Sequence, residues 1–230
     1  SGQVEKWNNM KKQDILSSSL SYTLVEAPAR TIHKFLQQNT FDNHEWDALL
    51  FQLFFTMCVI KKEIPNFVHN NLSPKYIHLK KVPAGGQFVY KIRNEKYYVP
   101  NYGYIIKVLP SVYSHANGSH NNRMVHNQLL QSKLGLHPDN NEFYDLHLFC
   151  NALYFTKNVS AYMKGLIKKW VPPGMICKET NDKVLNGRLR CGYTTPVKTQ
   201  SFHEILQSKL FNRYKTLSKK SILFYPVHKI

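Results

Sequence analysis

The run Phe67-Val68-His69-Asn70-Asn71-Leu72-Ser73-Pro74-Lys75-Tyr76-Ile77 decides how this chain of 230 residues is read. Upstream, Asp42 with Glu45 three positions later has the form of a capping box, in which each side chain accepts a backbone N–H of the other residue. From about Asn43 to Lys62, Trp46, Leu49, Leu50, Leu53, Phe54, Met57 and Ile60 recur at helical spacing, and Phe51, Phe55, Cys58 and Val59 fill the rest of the circumference. A helix apolar nearly all round is buried on most sides. Pro65 stops it, because proline lacks the N–H and its ring clashes with the preceding turn. The run therefore leaves the end of a buried helix as a polar loop.

Working outward, Ser21 to Val25 alternates as a strand should, Glu26-Ala27-Pro28-Ala29 breaks it, and Thr31 to Leu36 starts a helix. After the loop, Tyr76 to Leu79 reads as a short strand and Pro83-Ala84-Gly85-Gly86 as a turn. Gln87–Ile92 and Glu95–Val99 flank Arg93-Asn94 and predict a hairpin. Tyr104–Leu109 predicts a further strand, and from Tyr113 to Asn141 the composition turns polar. Phe143 to Leu153 predicts a second buried helix, and Ser160 to Trp170 a third, ended by Val171-Pro172-Pro173-Gly174. Residues 175–200 read as irregular. Ser201 caps a last helix through about Leu217, with Phe202, Ile205, Leu206, Leu210 and Tyr214 at helical spacing.

The loop resembles the protein-kinase catalytic loop H-R-D-L-x-x-x-N, in which the aspartate is the base and the asparagine holds a metal ion. His69 and Leu72 match; Asn71 stands at the base position and Tyr76 at the metal-ligand position. A second stretch, Tyr98-Val99-Pro100-Asn101-Tyr102-Gly103-Tyr104-Ile105-Ile106-Lys107, is similar to the Y-x-P-x-x-G-x-x-x-K pattern that precedes D-F in kinase-like proteins of large DNA viruses; Pro110, Ser111 and Val112 stand where D-F-G would be. The resemblance spans roughly residues 21–215. It implies an α+β, mainly helical domain over 21–217, like a kinase large lobe (C-lobe) with small β elements, with a tail at 1–20 and a basic, aromatic tail at 218–230. About twenty residues precede the strand and hinge, and neither G-x-G-x-x-G nor V-A-I-K occurs, so the small lobe is expected to be absent. Asp145 matches the aspartate that braces the catalytic loop from below, the plainer reading being a carboxylate at a helix N-terminus. His69 takes the structural role of the loop histidine.

The same positions argue against catalysis. Phosphoryl transfer needs a positioned hydroxyl, magnesium and charge stabilisation. A carboxamide at Asn71 cannot accept a proton as a carboxylate does. A tyrosine at 76 is a poor magnesium ligand, and Pro110 offers none. The resemblance thus implies a pseudokinase: a scaffold binding protein subunits of a viral assembly, in the virion or the host cytoplasm, with no cofactor. A kinase large lobe without its small lobe would expose a face around Tyr22, Leu24, Val25, residues 76–79 and the 104–109 strand, so Leu24 and Ile106 are candidate partner-binding residues.

Composition adds bounds. At 43 % hydrophobic and 13 % aromatic the chain can bury a sizeable core. Its net charge of +17 favours contact with a polyanion. Lys168, Lys169, Lys209, Arg213, Lys215, Lys219 and Lys220, interleaved with Trp170, Tyr214, Phe224 and Tyr225, suit the alternative of a nucleic-acid-associated protein; the plainer reading is a solvated basic face over core aromatics. Cys58 and Cys150 read as small buried hydrophobes, while Cys177 and Cys191 with His203 fit no common zinc framework, so no metal is expected. Neither a G-x-S-x-G elbow nor H-E-x-x-H occurs, which argues against a hydrolase, although His69 lies near Ser73 and His115, His120 and His126 cluster. No signal peptide is evident and Ala48–Ile60 is too short to span a bilayer, so a soluble protein is expected.

Overall fold

The computed structural model describes residues 30–116, 118, 121–134, 136, 142–171, 175–176, 200–217 and 224–229. Tyr22, Leu24, Val25, Cys177, Cys191, Lys219, Lys220 and the 1–20 tail lie outside the described residues.

A two-residue strand, β1 (Arg30–Thr31), runs directly into α1 (Ile32–Leu36), whose first turn is capped by the Thr31 hydroxyl accepting from Lys34 N–H at 3.1 Å. The buried helix α2 follows, Asn43–Glu63. It starts where the capping box predicts: Asp42 accepts from the N–H groups of His44 and Glu45 at 2.7 and 2.8 Å, and Glu45 accepts from Asp42 N–H at 2.9 Å.

Among the described residues the strands form three small sheets. β3 (Ile77–Lys81) lies between β1 and β6 (Tyr104–Val108), antiparallel to both, with Leu79 opposite Ile106. β4 (Gln87–Ile92) and β5 (Glu95–Pro100) form the expected hairpin. β2 (Phe67–Val68) pairs with β7 (His115–Ala116), so the polar segment after Tyr113 returns to the loop. That segment also forms a 3-10 turn, Arg123–His126, and a helix α3, Gln128–Leu134, neither of which its composition signals. Then come α4 (Glu142–Tyr154) and α5 (Ala161–Trp170), the latter capped by Ser160 accepting from Met163 N–H at 3.2 Å.

One expectation is corrected. The helix beginning at Ser201 does not run on to Leu217: α6 covers Phe202–Leu206, and a separate 3-10 segment covers Lys209–Lys215. Ser208 between them is extended, with ψ 164°. No helix breaker stands there, and packing supplies the reason. The break turns both Phe211 and Tyr214 onto Phe51, with ring centroids 5.2 and 5.8 Å away. Beyond it, β8 (Phe224–Lys229) pairs parallel to β4, giving the sheet order β5-β4-β8.

The core is organised by α2. Phe51 also meets Tyr90 and Tyr97 at 5.2 and 5.1 Å; Phe54 meets Trp170 and Phe202 at 5.4 and 5.5 Å. Each such ring, fully removed from water, contributes on the order of 2–3 kcal/mol. Gln52 and Asp47 are the two buried polar side chains on this helix. The Gln52 carboxamide donates to the Tyr104 carbonyl at 3.2 Å and accepts from Ile106 N–H at 3.0 Å, joining α2 to β6. Ahead of β6, Asn101 donates to the carbonyls of Pro83 and Gly85 at 2.8 and 2.9 Å and accepts from Gly103 N–H at 2.9 Å. Gly103 has φ +93°, and a Cβ there would lie 3.4 Å from the Val82 carbonyl oxygen. The positive φ, which L side chains rarely adopt, explains the glycine of the Tyr98–Gly103 pattern. Among the described residues no helix is long and apolar enough to cross a membrane.

Candidate functional site

The loop after α2 is held from three sides. From below, Asp145 on α4 accepts the N–H of His69 on one carboxylate oxygen at 2.8 Å and the N–H of Asn70 on the other at 3.0 Å. From the side, the His69 ring donates from Nε2 to the Leu109 carbonyl at 2.8 Å, while its Nδ1 accepts from Asn71 N–H at 3.3 Å. From above, the hydroxyls of Ser111 and Ser114 donate to the His69 carbonyl at 2.8 and 3.2 Å. Asn70 adopts φ +58°, a left-handed conformation that asparagine tolerates better than most residues, and its amide donates to the Tyr113 carbonyl at 3.1 Å. Leu72 anchors the loop in the core, fully buried.

Burial sets the electrostatics. It pushes the His69 imidazole below its ordinary value, against the pull of the nearby Asp145 and the bond to Leu109, so the ring is held neutral. Burial likewise raises the Asp145 carboxyl, opposed by His69, by the two backbone N–H groups and by Lys61.

Around this frame the structure brings together His69, Asn71, Tyr76, Pro110 and Asp145. Asn71 is half-buried, Tyr76 sets its ring edge-on to His69 at 6.0 Å between centroids, and Pro110 is exposed directly after the Leu109 carbonyl. The side chains at 71, 76 and 110 present a carboxamide, a phenol and a pyrrolidine ring, none of which is a proton-accepting carboxylate. Asp145 is a carboxylate, but it is buried and both its oxygens are engaged by the loop backbone. Among the described residues no group of three His, Cys, Asp or Glu is placed to hold a metal ion.

The remaining candidates separate. Ile106 is corrected: it is 6 % exposed and packs in the core, because the pleat of β6 turns it inward, so it cannot line an exposed docking face. Lys168, Lys169 and Lys209 are exposed. Arg213 instead forms an ion pair with Asp47, whose side chain is buried, and Lys215 pairs with Glu95 at 2.8 Å. Trp170 and Tyr214 are core residues and cannot stack on bases. The sequence reading missed Asn70, Ser111 and Ser114. Short polar residues flanking a recognised loop were the available signal, but their partners are backbone groups about forty residues away.

Compared with known proteins, the chain is similar to a protein of Acanthamoeba polyphaga mimivirus named "Putative serine/threonine-protein kinase R400", with 24 % identity over 201 residues. The alignment covers 78 % of this chain and 42 % of the relative, so the chain spans less than half of that protein's length. The similarity is thus to a viral kinase-like protein. No protein-family profile and no solved structure matches.

Proposed function

We propose that this chain is a kinase-related protein of the large-lobe type that works by binding protein partners and does not transfer phosphate. The reading rests on one contrast. The frame of the loop is complete, with Asp145, His69, Ser111 and Ser114 all engaged. Yet the position that the resemblance assigns to the base carries an amide, Asn71, and those assigned to metal binding carry Tyr76 and Pro110. A loop held this firmly without its proton acceptor is suited to presenting a surface. A nucleic-acid role gains less support, since Arg213 is paired with the buried Asp47 and two of its aromatics are buried.

The test is a thermal-unfolding series with magnesium and ATP, run beside a radiolabelled phosphate-transfer assay on generic protein substrates. Bound ligand must stabilise the fold by mass action. The expected outcome is no change in melting temperature at millimolar nucleotide and no labelled product. A rise of several degrees that is abolished by a chelator, with transfer, would overturn the proposal.

A further inference from the structure

A cavity of about 500 Å³ opens beside the loop, between its 71–76 turn, α1 and the C-terminal end of α4. Three cationic or cation-forming side chains line it from three separate segments: His33 on α1, Lys75 on the turn and Lys157 just beyond α4. Among the described residues no Asp or Glu lines it. Lys75 and Lys157 are exposed and half-buried His33 lies beside them on the lining, so the charges stay solvated while their field falls on the opening. The basic field continues past the cavity: Tyr154, whose ring is 5.1 Å from that of Phe155, carries the ammonium groups of Lys164 and Lys168 at 5.5 and 5.9 Å from its centroid.

The lining is not basic alone. Phe155 is 43 % exposed, and Leu148 and Ala152 supply further apolar surface. Asn71 and Asn151 also line this space. The volume lies within the range of pockets that take a whole ligand, and it far exceeds what a single inorganic anion fills.

We propose that this cavity is a docking site for an acidic peptide segment carrying an apolar or aromatic residue, with its carboxylates near Lys75, Lys157 and His33 and its apolar side chain against Phe155. The site rests on the reading of the chain as a protein-binding module and names the chemistry of the partner.

The test uses a fluorescein-labelled peptide in which Glu and Asp flank a central Phe and a Ser, with a Lys-for-acid analogue as control, read by anisotropy at low and high salt. The acidic peptide should bind and the basic analogue should not, and affinity should fall as salt rises. The double variant Lys75→Glu/Lys157→Glu, both exposed and therefore tolerant of change, should weaken binding on the order of tenfold. The charge-matched variant Lys96→Glu/Lys209→Glu, on the hairpin and the 3-10 segment, should leave it nearly unaltered. Equal loss in both variants would overturn the site, as would full displacement of the peptide by inorganic phosphate at matched ionic strength. The same mixtures receive magnesium and ATP. Phosphate transfer onto the peptide serine would overturn the non-catalytic reading while leaving the site standing; absence of peptide binding with no transfer would overturn the site while leaving that reading.

Discussion

His69 and Leu109 are joined by a 2.8 Å hydrogen bond that ties the loop after α2 to the end of β6. Because Nδ1 of the same ring accepts from Asn71 N–H, Nε2 must carry the proton in that bond, and the ring is a neutral imidazole of one tautomer. A charged ring would lose the Asn71 acceptor and place a cation in a buried site.

A pH dependence follows. Burial lowers His69 below its ordinary value of 6.5, and does the same to His147, which is buried on α4 with Nε2 bonded to the Met175 carbonyl at 2.9 Å. Between the lowered and the ordinary value, the unfolded chain binds more protons than the folded one. The stability that these two neutral histidines contribute is therefore full above about pH 6.5 and is lost as the pH falls below it. The urea midpoint should be lower at pH 5.5 than at 7.5, and His147→Gln should flatten the slope. A midpoint that rises on acidification would contradict this.

Removing the brace should be costly. Asp145→Ala leaves two buried N–H groups without acceptors, and the expected loss is about 2–4 kcal/mol in urea unfolding. Asp145→Asn keeps one acceptor and should fall between alanine and the native residue. Wild-type stability in the alanine variant would show that the brace carries no energy.

The Asp47–Arg213 pair gives a separate test of the basic residues. Tyr162 also donates to both Asp47 oxygens at 2.8 Å, so Asp47 keeps a partner when the arginine goes. The Arg213 side chain is 41 % exposed, which discounts the pair relative to a fully buried one. Arg213→Ala should cost about 1–3 kcal/mol of stability. It should change affinity for a single-stranded oligonucleotide by less than Lys168→Ala does; the reverse order would return Arg213 to the nucleic-acid reading.

Restoring a carboxylate should not restore chemistry. Asn71→Asp supplies a proton acceptor, but Tyr76 and Pro110 still offer no oxygen suited to magnesium. The variant should fold and show no phosphate transfer above background. Measurable transfer by this single change would mean that the metal is held elsewhere.

What was legible in the sequence was local. The ends of α2 follow from Asp42, Glu45 and Pro65, and the hairpin from its two alternating runs around Arg93-Asn94. The role of Asp145 was legible only through the resemblance, since 76 positions separate it from His69 and nothing in composition joins them. The clamp formed by Asn70, Ser111 and Ser114 was illegible because its acceptors are main-chain carbonyls, which every residue has. The inward turn of Ile106 was missed for a related reason: Tyr104 to Val108 is apolar on both sides of the pleat apart from Lys107, so alternation does not say which side faces α2. The break at Ser208 reflects aromatic packing on Phe51 overriding a helical pattern.

The spacing of the loop's supports bears on how the chain acquires its shape as it is made. His69 waits for Leu109, 40 positions later, and then for Asp145, 76 positions later. During vectorial synthesis the loop leaves the ribosome well before the carboxylate that fixes its backbone, and it must remain unshaped until α4 emerges. Contacts of such long sequence separation slow folding. In the interval the faces of α2 that pack on α5 and α6 stay uncovered, and this is a stage at which a nascent chain needs a chaperone.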